Sequence, residues 1–140
     1  MIKDKVNVFK ETSDFLGPNH RNNFRVTLNE INCSVKFLDF ENKTLSALTH
    51  KMFNGYLENI SMSGLKLICD FDFPVKQSIL IEINFELKNH EFILRGEIVR
   101  KEENNNKDLV AYGIQFLDIH EEESKLLNLI LNQIILESRE

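Results

Sequence analysis

Ile81-Glu82-Ile83-Asn84-Phe85-Glu86-Leu87-Lys88 alternates apolar and polar side chains without a break. An extended chain turns successive side chains to opposite faces, so this stretch reads as a strand with one buried and one solvated face. A short polar turn at Asn89-His90 leads to Phe92–Lys101, which returns as its hairpin partner. Downstream, Val110, Tyr112, Ile114 and Phe116 repeat the alternation. Upstream, Leu65–Cys69 and Tyr56–Ile60 read as short strands on either side of Ser61-Met62-Ser63-Gly64. Further back, Phe24, Val26 and Leu28 alternate with Arg25 and Thr27, and Val35 and Phe37 alternate with Ser34 and Lys36. Asn54-Gly55 reads as a turn, and residues 41–55 are compatible with either a short helix or a bent strand. Many short strands with polar turns between them predict an all-β fold, a closed or nearly closed antiparallel sheet.

The end of the chain changes period. Leu126, Leu127, Ile130, Leu131, Ile134 and Ile135 recur at helical spacing, with Asn128 and Asn132 on the other face. Asp118 and Glu121 have the spacing of a capping box, and Glu121-Glu122-Glu123 suits the positive end of a helix dipole. A helix over 119–137, packed on the sheet, is the expectation. Leu129 and Leu136 fall outside its apolar arc; they are either stray exposed leucines or a partner contact. Residues 1–17 are polar and end at Gly17-Pro18, so they read as a flexible segment before a domain over 18–140.

The chain has 140 residues, enough for one domain with its own core. A formal net charge of -5 argues against a domain that grips long nucleic acid, yet a few local arginines can still hold a small anion. Cys33 and Cys69 are far apart in apolar surroundings and read as buried thiols. His50, His90 and His120 are scattered, with no pattern of metal ligands. No GxSxG, HExxH, phosphate-binding loop or dinucleotide fingerprint is present, so an enzyme is not expected. No secretory leader and no apolar run long enough to span a bilayer is seen, which makes the cytoplasm the expected compartment.

Two polar clusters carry the chemistry. Arg21-Asn22-Asn23-Phe24-Arg25 places two arginines four apart where the first strand begins. Asn59-Ile60-Ser61-Met62-Ser63-Gly64 is a short amide and hydroxyl loop. Arginine forks fit phosphate oxygens and the O6/N7 edge of guanine, and they stack on base faces. Asn59 and Ser61 are short polar side chains that can hydrogen-bond a small ligand without filling a site. Gly64 permits a positive φ or a close backbone approach. Taken alone, the arginines are equally ordinary surface charges, and the loop is equally plain turn chemistry. His20 and Ser63 are flanking candidates, His20 with the alternative of an exposed loop histidine. Arg95 and Arg100 read as solvated strand charges that could instead flank the site.

In this order, Arg21-x-x-x-Arg25 and Asn59-x-Ser61-x-x-Gly64 resemble the paired RxxxR and [D/N]xSxxG signature of PilZ domains. The close at Gly113-Ile114-Gln115-Phe116-Leu117-Asp118-Ile119, followed by an amphipathic helix, is similar to the end of that domain. The resemblance covers about residue 18 to the C-terminus. The spacer from Arg25 to Asn59 is longer than the family commonly shows, and the extra length is assigned to residues 41–55. The resemblance implies a small antiparallel β-barrel of about six strands with a C-terminal helix. It implies a non-enzymatic receptor for the second messenger cyclic di-GMP, with Arg21, Arg25, Asn59, Ser61 and Gly64 as ligand residues and no metal or cofactor. It further implies an effector protein as partner, a role in motility or biofilm control, and a monomer or homodimer. The alternative is a PilZ-like adaptor that binds protein and no nucleotide.

Overall fold

A computed structural model describes residues 24–103 and 108–138. The expected flexible segment 1–17, His20 and Arg21 lie outside the described residues. The strands are β1 (Val26–Phe40), β2 (Met52–Ile60), β3 (Gly64–Cys69), β4 (Ile79–Leu87), β5 (His90–Glu103) and β6 (Val110–Leu117). A helix, α1 (Glu121–Ser138), ends the described chain. The six strands close into an antiparallel barrel in the order β1-β2-β3-β6-β5-β4. The expected all-β barrel with a C-terminal helix is the observed architecture.

The two alternating stretches at the start merge into one strand of 15 residues, β1. Cys33–Lys36 pairs with Met52–Gly55 of β2 on one edge and with Glu82–Phe85 of β4 on the other, which closes the sheet. The register against β2 slips between Thr27 and Ile31, and Glu30 there takes a φ of 48°. A bulge of this kind bends the strand and lets a long segment follow the curve of a barrel.

Three local readings are corrected. Asn54 and Gly55 lie inside β2, where they pair with Ser34 and Cys33; the chain reverses at His50, with a φ of 70°. The β4–β5 turn is Lys88-Asn89, with φ of 51° and 67°, and His90 already opens β5 opposite Leu87. Positive φ at both central positions suits the twist of a two-residue hairpin. The turn lysine also reaches α1, where it pairs with Glu137. Lastly, Asp118 does not cap the helix. It has a φ of 53°, in the connection, and the His120 carbonyl accepts the first helical bond from Ser124 N at 2.9 Å.

The segment left open at 41–55 forms a 3-10 helix at Lys43–Leu48, whose Asn42 side chain accepts a bond from Thr44 N, and then the start of β2. It sits at the barrel end where β1 finishes, with Cys69–Phe73 and the start of β4. Phe37 fills that end, fully buried, with ring centroids 5.1–6.0 Å from Phe40, Phe53, Phe71 and Phe73. Most of these pairs meet edge-on or tilted, the arrangement that aromatic quadrupoles favour. Leu127, Ile130 and Leu131 of α1 join the same core, and Leu129 and Leu136 stay exposed.

Tyr112 is fully buried and stacks on Phe73 at 4.4 Å. Its hydroxyl donates to Phe71 O at 2.9 Å and accepts from Phe73 N at 3.0 Å. These bonds hold the loop after β3 against the barrel. Tyr112→Phe should cost about 1–3 kcal/mol, because it leaves a buried backbone N–H without its acceptor; urea denaturation reads the loss. Burial pushes the Tyr112 hydroxyl and the Cys33 thiol up to about 12 from 10.0 and 9.0. Both groups keep their protons to higher pH in the fold than in the unfolded chain. Their contribution is therefore whole below pH 9 and is lost as pH rises through about 12. The urea midpoint should fall across that window, and less steeply in Tyr112→Phe.

Candidate ligand-binding site

Asn59 faces outward near the end of β2, between buried Leu57 and Ile60. Its neighbour across β1 is Thr27, and Val26 pairs with Ile60. Arg25 is two residues before Thr27, so alternation turns it to the same outer face. The Arg25 guanidinium donates to Asn59 Oδ1 at 2.8 Å, a contact between residues 34 apart in sequence. The 3-10 helix lies at the opposite end of the barrel, so the long spacer does not disturb this pairing.

The loop after β2 is built from its own polar groups. Ser61 N donates to Gly64 O at 2.8 Å. Ser61 is 1% exposed, and its hydroxyl accepts from Ser63 N at 3.2 Å and lies 3.2 Å from the Ser63 hydroxyl. Ser61 thus turns inward and shapes the loop, while Ser63 is exposed. Ser63 O accepts from Phe116 N at 2.8 Å, which ties the loop to β6. Gly64 does not use a positive φ; no described glycine does. Its role is close approach: a Cβ there would lie 2.0 Å from Ile114 O, with β3 and β6 pressed together. Gly64→Ala must push these strands apart, and it should lower stability by about 1–3 kcal/mol. An unchanged urea midpoint would show that the approach carries no such constraint.

Arg25, Asn59 and the 61–64 loop therefore converge on one end of one outer face, and Arg21 and His20 fall outside the described residues. The same face carries Arg100, read from the sequence as a solvated strand charge that could instead flank the site, and Lys66, which the sequence reading did not single out. Lys66 pairs with Asn59 across β3, Gly113 with Lys66 across β6, and Arg100 with Gly113 across β5. Arg100 folds over Gly113: a Cβ on that glycine would meet its Cζ at 2.8 Å. Arg100 Nε donates to Glu102 Oε2 at 2.5 Å. Lys66 lies 3.1 Å from Glu58 and 3.6 Å from Glu102. The Arg100 bond holds the Glu102 carboxyl below the usual range, with Lys66 adding to it. Arg100 and Lys66 have no local motif; only the cross-strand register reveals their place. Among the described residues, no group of three His, Cys, Asp or Glu could hold a metal ion, and no helix is long and apolar enough to cross a membrane.

The model of the PilZ domain family matches residues 19–133. The chain belongs to the PilZ domain family. That family comprises cyclic di-GMP receptors, regulatory domains rather than enzymes. No curated protein matches the sequence. Among solved structures, the PilZ domain of CeSA from a cellulose-synthesizing bacterium is 18% identical with a TM-score of 0.54, over 79% of this chain and 97% of its own. The PilZ domain of YcgR from Escherichia coli, solved with c-di-GMP, is 15% identical with a TM-score of 0.59, over 83% and 92%. MrkH of K. pneumonia in its apo state is 14% identical with a TM-score of 0.65, over 91% of this chain and 55% of that one. At these identities the likeness is one of fold.

Proposed function

We propose that this chain is a receptor for cyclic di-GMP, with Arg21, Arg25, Asn59 and the loop ending at Gly64 as its binding surface. The observation that carries the reading is the Arg25–Asn59 contact at 2.8 Å, which brings both signature motifs to one spot. A guanidinium held by a neutral amide oxygen is already positioned and not neutralised. A phosphate forms a stronger, charge-assisted bond with it. Asn59 and the backbone of the loop then face a guanine edge, with Ser61 as the group that keeps the loop in shape. Ser63 and His20 flank this surface.

The signal in this reading is an order–disorder step. The ligand bridges Arg21 and the already positioned Arg25 to the loop and orders the segment leading into Arg25 against the barrel, and an effector protein reads the changed surface. Arg21→Ala and Arg25→Ala should each weaken cyclic di-GMP binding by about ten- to a hundredfold, from the loss of one charge-assisted contact. Calorimetric titration measures this, with urea denaturation as the check on folding. Unchanged affinity in both variants overturns the site. Hydrogen exchange in residues 10–25 should slow on ligand addition; equal exchange with and without ligand overturns the switch.

A further inference from the structure

The outer-face row Asn59, Lys66, Gly113, Arg100 continues past the signature residues. Neighbouring strands lie about 4.8 Å apart. Because Arg100 lies over Gly113, its guanidinium stands above β6, two strand spacings from Asn59, or about 10 Å. That is the scale of a cyclic dinucleotide with two phosphates. Lys66 fills the interval, and Gly113, by lacking a side chain, leaves the trough in which Arg100 lies flat.

The cations of this row differ from Arg25 in one respect. Arg25 is held by a neutral amide, whereas Arg100 is held by Glu102, and Lys66 by Glu58 and Glu102. Glu102 serves both cations at once. Its carboxylate stands where an anionic group of a bound ligand would have to stand.

On the reading that this face binds cyclic di-GMP, we propose that the site extends to Lys66 and Arg100, and that Glu102 is an internal competitor for the ligand's second phosphate. Binding is then an exchange: Arg100 swings from the carboxylate to the phosphate, and Glu102 turns to solvent. All of these side chains are at least a quarter exposed, so the exchange needs no opening of the core. The competitor lowers affinity, which sets the ligand level at which the receptor responds.

Calorimetric titration of cyclic di-GMP into the full chain tests this, with Glu102→Gln, Arg100→Gln, Arg25→Ala and, as a control for net charge, Glu86→Gln on the distant strand β4. Glu102→Gln should tighten binding by about two- to fivefold, the range of an exposed charge pair, and Glu86→Gln should not. Arg100→Gln should weaken binding by about tenfold or more, as for loss of a charge-assisted contact. In the Arg100→Gln background, Glu102→Gln should recover less than in the wild type. Binding by the wild type that is lost in Arg25→Ala but unchanged in Glu102→Gln and Arg100→Gln overturns the extension and leaves the receptor intact. An equal gain in Glu86→Gln and Glu102→Gln overturns the competitor role. Absence of binding in the wild type and every variant overturns the receptor reading, and the extension with it.

Discussion

The barrel depends on one strand being bonded along both edges. Cys33–Lys36 of β1 exchanges backbone bonds with β2 on one side and β4 on the other, and this double pairing leaves the sheet without a free edge. The same strand fixes the site. Once Thr27 stands opposite Asn59, Arg25 must hang over that amide from the neighbouring strand. A slip of one residue would send Arg25 to the other face, because the side-chain period is two. The two-residue bulge before Ile31 is what permits the strand to satisfy both ends at once.

The aromatic cluster and the Arg25–Asn59 contact sit at opposite ends of the barrel. The far end holds the cluster around Phe37 and the buried Tyr112 hydroxyl, with every polar atom of that ring group bonded to backbone. The near end spends its polar groups on the 61–64 loop and on α1. The glutamates of the first helical turn suit its positive end, and Lys88, from the β4–β5 turn, supplies a cation beside its last turns. The additional residues between β1 and β2 sit at the aromatic end as a 3-10 helix, so length was gained without cost to the convergence of Arg25 and Asn59.

Charge is spread unevenly over this acidic chain. The net charge of -5 is a property of the whole surface, whereas the outer face of β2, β3, β6 and β5 collects Arg25, Lys66 and Arg100. Glu58 and Glu102 balance the last two at short range. Those two cations are therefore paired within the face, whereas Arg25 meets a neutral amide.

Alternation in Ile81–Leu87 and the helical spacing of Leu126–Ile135 were enough to read strands, barrel and helix, since both are local periods of the backbone. Arg25 and the Asn59–Gly64 loop were legible as well, because their chemistry is carried in short stretches of chain. The turn at Asn54-Gly55, the shift from Asn89-His90 to Lys88-Asn89, and the cap at Asp118 were misread for one reason. Turn propensity is local, while the place where a strand ends is set by the partner it must pair with. The inward turn of Ser61, the close approach at Gly64 and the alignment of Arg100 with Asn59 belong to the tertiary structure alone. They follow from barrel closure and cross-strand register, which join residues far apart in the chain and leave no trace in the spacing of any one segment.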